Sequence, residues 1–146
     1  TEALTLEGKT TYPKLIPPGA EAIAGSPEPF VDYFRVRIDP KKSENIDKVV
    51  EFVFSDKGNH AVALHVRRGI AEYIPVPADY LKKADFVLQM DSETWAELYL
   101  SAVSLEDAIG SGKVKLSGNK KEIVQLFETF DKFKPTKNYM VPPIED

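Results

Sequence analysis

The spacing of hydrophobic positions changes along this chain, and each change marks an element. Residues 48–55 alternate, with Val50, Phe52 and Phe54 on one face and Val49, Glu51, Val53 and Ser55 on the other. Residues 60–67 alternate too, Val62, Leu64 and Val66 against Ala61, Ala63, His65 and Arg67. A period of two is that of a strand with one buried face. The turn residues Asp56-Lys57-Gly58-Asn59 separate the two runs, and Gly69 separates the second from a third strand at residues 70–74. Polar and glycine-rich joints of this kind predict an antiparallel meander with one wetter face. Pro75 and Pro77 end it and open a loop, after which residues 86–91 read as a fourth strand.

Elsewhere the period is helical. Phe30, Tyr33, Phe34, Arg37 and Ile38 suit a helix that Pro40 ends. Trp95, Leu98, Tyr99 and Ala102 fall at i, i+3, i+4 and i+7 behind a cap at Asp91 or Ser92. From Ser104 to Phe130 the chain reads short helix, strand, helix. Ser104 is placed to cap the first helix, and Gly110 and Gly112 end it. Residues 113–117 alternate as a fifth strand, Gly118 turns the chain, and Asn119 caps a helix striped by Ile123, Leu126, Phe127, Phe130 and Phe133. Helices that each carry one apolar stripe must cover one face of the sheet. The expected fold is α+β: a two-layer domain, with a five-stranded mixed sheet and helices over one face.

Residues 1–27 differ. Pro13, Pro17, Pro18 and Pro27, with Gly8, Gly19 and Gly25, predict an extended arm or linker without regular structure. Residues 28–146 form the expected domain. The chain starts at Thr1, not Met, and is read as processed, trimmed or cut from something longer.

Composition narrows the chemistry. One domain is the natural count for 146 residues, long enough to bury a core without staples. With no cysteine there is no disulfide framework and no thiolate site. The net charge is -4 and the basic residues are scattered, which argues against nucleic acid as a partner. No apolar run is long enough for a transmembrane segment and no signal peptide is visible, so the expected location is the cytoplasm.

Candidate catalytic groups are few. His60 and His65 lie on one predicted strand at an odd spacing and point to opposite faces, so they do not share a metal. His65 is expected beside Glu51 as a solvated cross-strand pair. Asp91, Glu106 and Asp107 already have helix-terminus roles. Gly110-Ser111-Gly112-Lys113 superficially resembles a phosphate loop, but here a helix precedes the lysine and a strand follows it, the reverse of a Walker loop. No catalytic residue, metal or cofactor is expected.

The aromatic residues are the remaining signal. Most belong to plain core; the sharper reading is that some line a cavity for an apolar small molecule. The candidates are Phe52, Phe54, Leu64, Tyr73, Trp95, Leu98, Tyr99, Ile109, Phe127, Phe130, Phe133 and Met140.

Four segments carry a family resemblance: residues 32–40 (DYFRVRIDP), 49–70 (VVEFVFSDKGNHAVALHVRRGI), 84–95 (ADFVLQMDSETW) and 108–133 (AIGSGKVKLSGNKKEIVQLFETFDKF). Together they resemble the C-terminal domain of bacterial alkyl sulfatases, a member of the sterol carrier protein type 2-like group. The FxFSDxG turn at 52–58 and the SGKVKLSGN run at 111–119 are the most telling pieces. The resemblance implies an apolar tunnel between sheet and helices that helps hold a fatty acid, alkyl chain or sterol-like ligand. It implies that catalysis belongs to a separate zinc-dependent domain, whose histidine-rich motif has no counterpart here. The expected function is a non-catalytic lipid- or alkyl-binding module, an accessory substrate-binding domain of an alkyl sulfatase-type hydrolase. The alternative is a structural or dimerisation domain with a filled core. A homodimer and attachment to a catalytic domain are both open.

Overall fold

The fold is described from a computed structural model, over residues 19–132. Its sheet has strands β1 (Asp47–Phe54), β2 (His60–Arg67), β3 (Ile70–Ile74), β4 (Phe86–Met90) and β5 (Lys115–Ser117). The spatial order is β3-β2-β1-β4-β5. β1 pairs antiparallel with β2 and parallel with β4, and the remaining pairs are antiparallel. The sheet is therefore mixed and five-stranded, as the alternation predicts.

The inner face carries Val50, Phe52 and Phe54 from β1, Val62, Leu64 and Val66 from β2, and Phe86, Leu88 and Met90 from β4, all buried. Five helices supply the opposing layer: α1 (Ala20–Gly25), α2 (Pro27–Phe34), α3 (Ser92–Tyr99), α4 (Leu105–Gly110) and α5 (Lys120–Phe127). Their stripes, including Ile23, Val31, Trp95, Ala108 and Ile123, join the same core.

Three caps form where the sequence places them. The Asp91 side chain accepts from the Thr94 N–H at 2.8 Å, Ser104 Oγ from Asp107 at 3.1 Å, and Asn119 Oδ1 from Glu122 at 2.9 Å. Each satisfies a first-turn donor that the helix itself leaves open.

Gly118 shows why the turn before α5 needs glycine. Its φ is +126°, and a Cβ there would lie 2.9 Å from both the Asp85 carbonyl oxygen and Phe86 Cδ1. Gly118→Ala is expected to cost about 1–3 kcal/mol from backbone strain alone, with the clash adding to it. Urea unfolding checks this; a midpoint equal to wild type would mean that the turn relaxes freely.

The structure departs from the sequence reading in several places. Residues 20–25, expected within an extended arm, form helix α1. Alanines outweigh the flanking glycines there, and Ile23 is buried as α1 packs on α3. The helix predicted over 30–38 is α2 plus a 3-10 turn at Arg35–Arg37, with Ile38 extended. The final helix stops at Phe127, and Phe130 sits on extended backbone bridged to Ile38. Asp39 N–H donates to Thr129 O and Asp131 N–H to Arg37 O, each at 2.7 Å, so this two-stranded contact replaces the last helical turn.

The outer sheet face is not simply wet. Val49, Ala63 and Ile74 form a second small core, capped by Tyr80 and Ala84 from the loop over residues 75–85. Asp85 ties the loop down, accepting from Val49 N–H through Oδ2 and donating its own N–H to Val49 O, both at 2.8 Å.

Candidate ligand-binding cleft

His65 lies under that loop and corrects the expected pairing with Glu51. The register sets Glu51 opposite Ala63 and Val49 opposite His65. His65 is 5% exposed, with Nδ1 at 2.7 Å from the Tyr80 hydroxyl and Nε2 at 2.7 Å from Asp47 Oδ1. Packing by the loop turns a predicted solvated pair into a buried, doubly bonded imidazole. Its geometry explains a structural tie between loop, β1 and β2. His60 points to the other face, as its spacing predicts, with Nε2 at 2.9 Å from Glu28 of α2.

Bonding to His65 holds the Asp47 carboxyl below its ordinary value of 3.8, helped by the charges of His65, Lys82 and Arg67 against the cost of desolvation. A depressed folded-state value stabilises the fold above the unfolded value and is lost as pH falls through the folded one. Asp47→Asn is therefore expected to flatten the loss of stability below about pH 4, the reference range for aspartate. Urea midpoints for both proteins at pH 7 and through the acid range check this. Parallel curves would show that Asp47 is not the group responsible.

On the helical side a cleft of about 250 Å³ opens between α3, α4 and α5. Its apolar wall is Phe34, Leu98, Val103, Leu105, Val124, Phe127 and Phe130. Its rim is charged: Arg37 and Lys132 against Glu106, Glu128 and Asp131. Aromatic packing builds the floor. Phe34 stacks on Phe130 at 4.6 Å between centroids and 15° between planes. Behind them Trp95 meets Phe34 at 5.4 Å and Phe52 at 5.1 Å, edge to face. The Arg37 guanidinium lies 4.1 Å from the Tyr99 ring centroid, and its Nη1 donates to Tyr99 O at 2.7 Å. A cation over an aromatic face is attracted by the ring's quadrupole, which anchors the arginine at the rim.

The predicted lining residues divide accordingly. Leu98, Phe127 and Phe130 meet in the cleft. Phe52, Phe54, Leu64 and Trp95 are completely buried in the filled core. Tyr99 and Ile109 are half-buried against that core. Tyr73 does not line the cleft: its hydroxyl donates to Glu28 Oε2 at 2.9 Å, and burial with that bond raises its pKa well above the ordinary tyrosine value. Phe133 and Met140 lie outside the described residues.

Sequence reasoning missed Arg37, Phe34 and Val124 as lining residues. The available signal was spacing: Phe34 and Arg37 are three apart, as are Val124 and Phe127. Among the described residues no group of three or more His, Cys, Asp or Glu is placed to hold a metal. No described helix is long and apolar enough to cross a membrane.

A mixed sheet with helices on its inner face is the sterol carrier protein 2 fold, and the comparison bears this out. A sterol carrier protein 2-like protein from Aedes aegypti aligns at TM-score 0.54 and 17% identity, over 73% of this chain and 97% of its own. The chain belongs to the alkyl sulfatase C-terminal family, whose model matches residues 22–142. An (R)-specific secondary-alkylsulfatase from Pseudomonas is 29% identical over 120 residues, covering 82% of this chain but 18% of that enzyme. The solved structure of a stereoselective inverting sec-alkylsulfatase from Pseudomonas aligns at TM-score 0.64 and 28% identity, over 76% of this chain and 17% of that one. The chain thus spans under a fifth of the length of the sulfatases it matches.

Proposed function

We propose that this domain is a non-catalytic module that binds the alkyl chain of an amphiphile, serving a sulfatase-type hydrolase to which it is attached or which it accompanies. The observation that carries this reading is the cleft itself: an aromatic and aliphatic wall under a rim of both charges. Such a site takes a hydrocarbon chain inward and leaves a polar head in water. Membership of the alkyl sulfatase C-terminal family supports it. At about 250 Å³ the cleft is smaller than the ~300–1,000 Å³ of drug-sized pockets, which favours one narrow chain over a fused ring system. Phe127, Phe130 and Leu98 are the proposed contacts.

Each buried CH₂ contributes about 0.8 kcal/mol before the costs of association, so affinity rises with chain length more than with head group. Calorimetric titration of the 146-residue chain with octanoate, decanoate and dodecanoate below their micelle concentrations tests this. Tightening along the series is expected; no uptake of any member overturns the proposal. An alkyl-sulfatase assay on the same chain is expected to be blank, and turnover that survives repurification would overturn the non-catalytic reading.

A second reading, a structural or dimerisation domain, is favoured by the complete burial of Phe52, Phe54, Leu64 and Trp95. Light scattering after size exclusion separates the two. A stable dimer that takes up no fatty acid supports the second.

A further inference from the structure

Trp95 is the only tryptophan in the chain and is 0% exposed, yet its indole Nε1 has no hydrogen-bond partner. It is the one buried side-chain nitrogen or oxygen among the described residues in that state. An indole N–H usually finds an acceptor when buried, because leaving a buried donor unmade costs about 1–3 kcal/mol. The ring is enclosed by Phe34, Phe52 and Tyr99, each tilted steeply to it. A resident water needs two to four polar partners, roughly what an aromatic cage fails to offer. An aromatic face is a weak, second-order acceptor for an N–H.

Trp95 lines no part of the cleft itself, but its neighbours do. Phe34 is in contact with Trp95 and also lines the cleft, and Leu98, one helical turn after Trp95, lines it too. The indole therefore stands one ring-layer behind the cleft wall. Phe127, half-buried in that wall like Val103 and Val124, packs against Phe34 and Phe52 with centroids 5.6 and 6.3 Å away.

We propose that Trp95 Nε1–H is the polar anchor of the ligand site, donating to an acceptor oxygen borne on the hydrocarbon part of the ligand. The site's ligand class is then a chain with an in-chain or subterminal carbonyl, ether or hydroxyl oxygen, not a plain hydrocarbon. Such a chain reaches the indole by displacing wall rings, of which Phe34 is the one in contact with Trp95. This rests on the alkyl-binding reading above and adds a chemical preference to it.

The test compares octan-2-one with its carbon isostere 2-methyloct-1-ene, which has the same shape and no acceptor oxygen. Both are titrated into wild type and into Trp95→Phe, which keeps an aromatic ring and removes the donor. Wild type is expected to bind the ketone about fivefold more tightly than the alkene, the fold-change of one neutral hydrogen bond, and Trp95→Phe to abolish that preference. In wild type labelled with 15N at tryptophan, the single indole N–H resonance is expected to move downfield with the ketone and not with the alkene, a readout that needs no variant to fold. Equal affinities with no indole shift, while both compounds bind, would overturn the anchor and leave the alkyl-binding reading standing. Failure of both compounds to bind wild type would overturn the alkyl-binding reading and the anchor with it.

Discussion

Trp95→Ala is expected to lower the free energy of unfolding by about 3–5 kcal/mol, the usual cost of emptying a buried aromatic site. Several observations place Trp95 at the upper end. Its side chain is wholly buried, and it joins α3 to α2 through Phe34 and to the sheet through Phe52. Aromatic pairs of this kind add roughly 0.5–1.5 kcal/mol each beyond the area they bury. Small domains are stable by only about 5–15 kcal/mol, so this single change consumes a large share of the margin. Urea unfolding followed by far-ultraviolet circular dichroism checks it, since the variant has no tryptophan to report. A loss under about 1 kcal/mol would mean that the helices close over the cavity, the collapse that lowers such costs.

Phe127→Asp is expected to abolish fatty-acid uptake while the domain stays folded. The half-buried position of Phe127 makes the experiment feasible, because the new carboxylate keeps access to water at the mouth. It also stands beside Glu128 on a rim that already carries Glu106 and Asp131. A dodecanoate carboxylate is repelled by the added charge, and its chain loses the aromatic wall. At the completely buried Phe52 the same substitution would strand an unpaired charge and unfold the protein, which tells nothing of binding. Calorimetry with dodecanoate, alongside a thermal melt, separates loss of binding from loss of fold. Undiminished uptake by the folded variant would move the site away from α5.

Much of the architecture is legible in the chain. Val50, Phe52 and Phe54, then Val62, Leu64 and Val66, recur at every second position, and a pleated strand puts such residues on one face. Asp91, Ser104 and Asn119 stand where first-turn donors need acceptors, and each makes that bond. These features are local, so neighbouring residues suffice to specify them. Helix α1 was harder to read, because Gly19 and Gly25 bracket its six residues and only docking of Ile23 on the core settles its state.

The cleft depended on facts that no local pattern carries. Periodicity marks a side chain as inward, and it marks Trp95, Phe127 and Tyr73 alike. It does not say whether the space inward is occupied. Phe34 stacking on Phe130, from residues almost a hundred positions apart, builds the floor of an opening among α3, α4 and α5. His65 shows the same limit. Its strand face follows from alternation, but its burial follows from a loop that brings Tyr80 onto the sheet. The order of residues alone therefore set the strands, caps, sheet and family. Tertiary packing decided which apolar faces close on one another and which leave a cleft, because close packing depends on the joint shape of side chains distant in sequence.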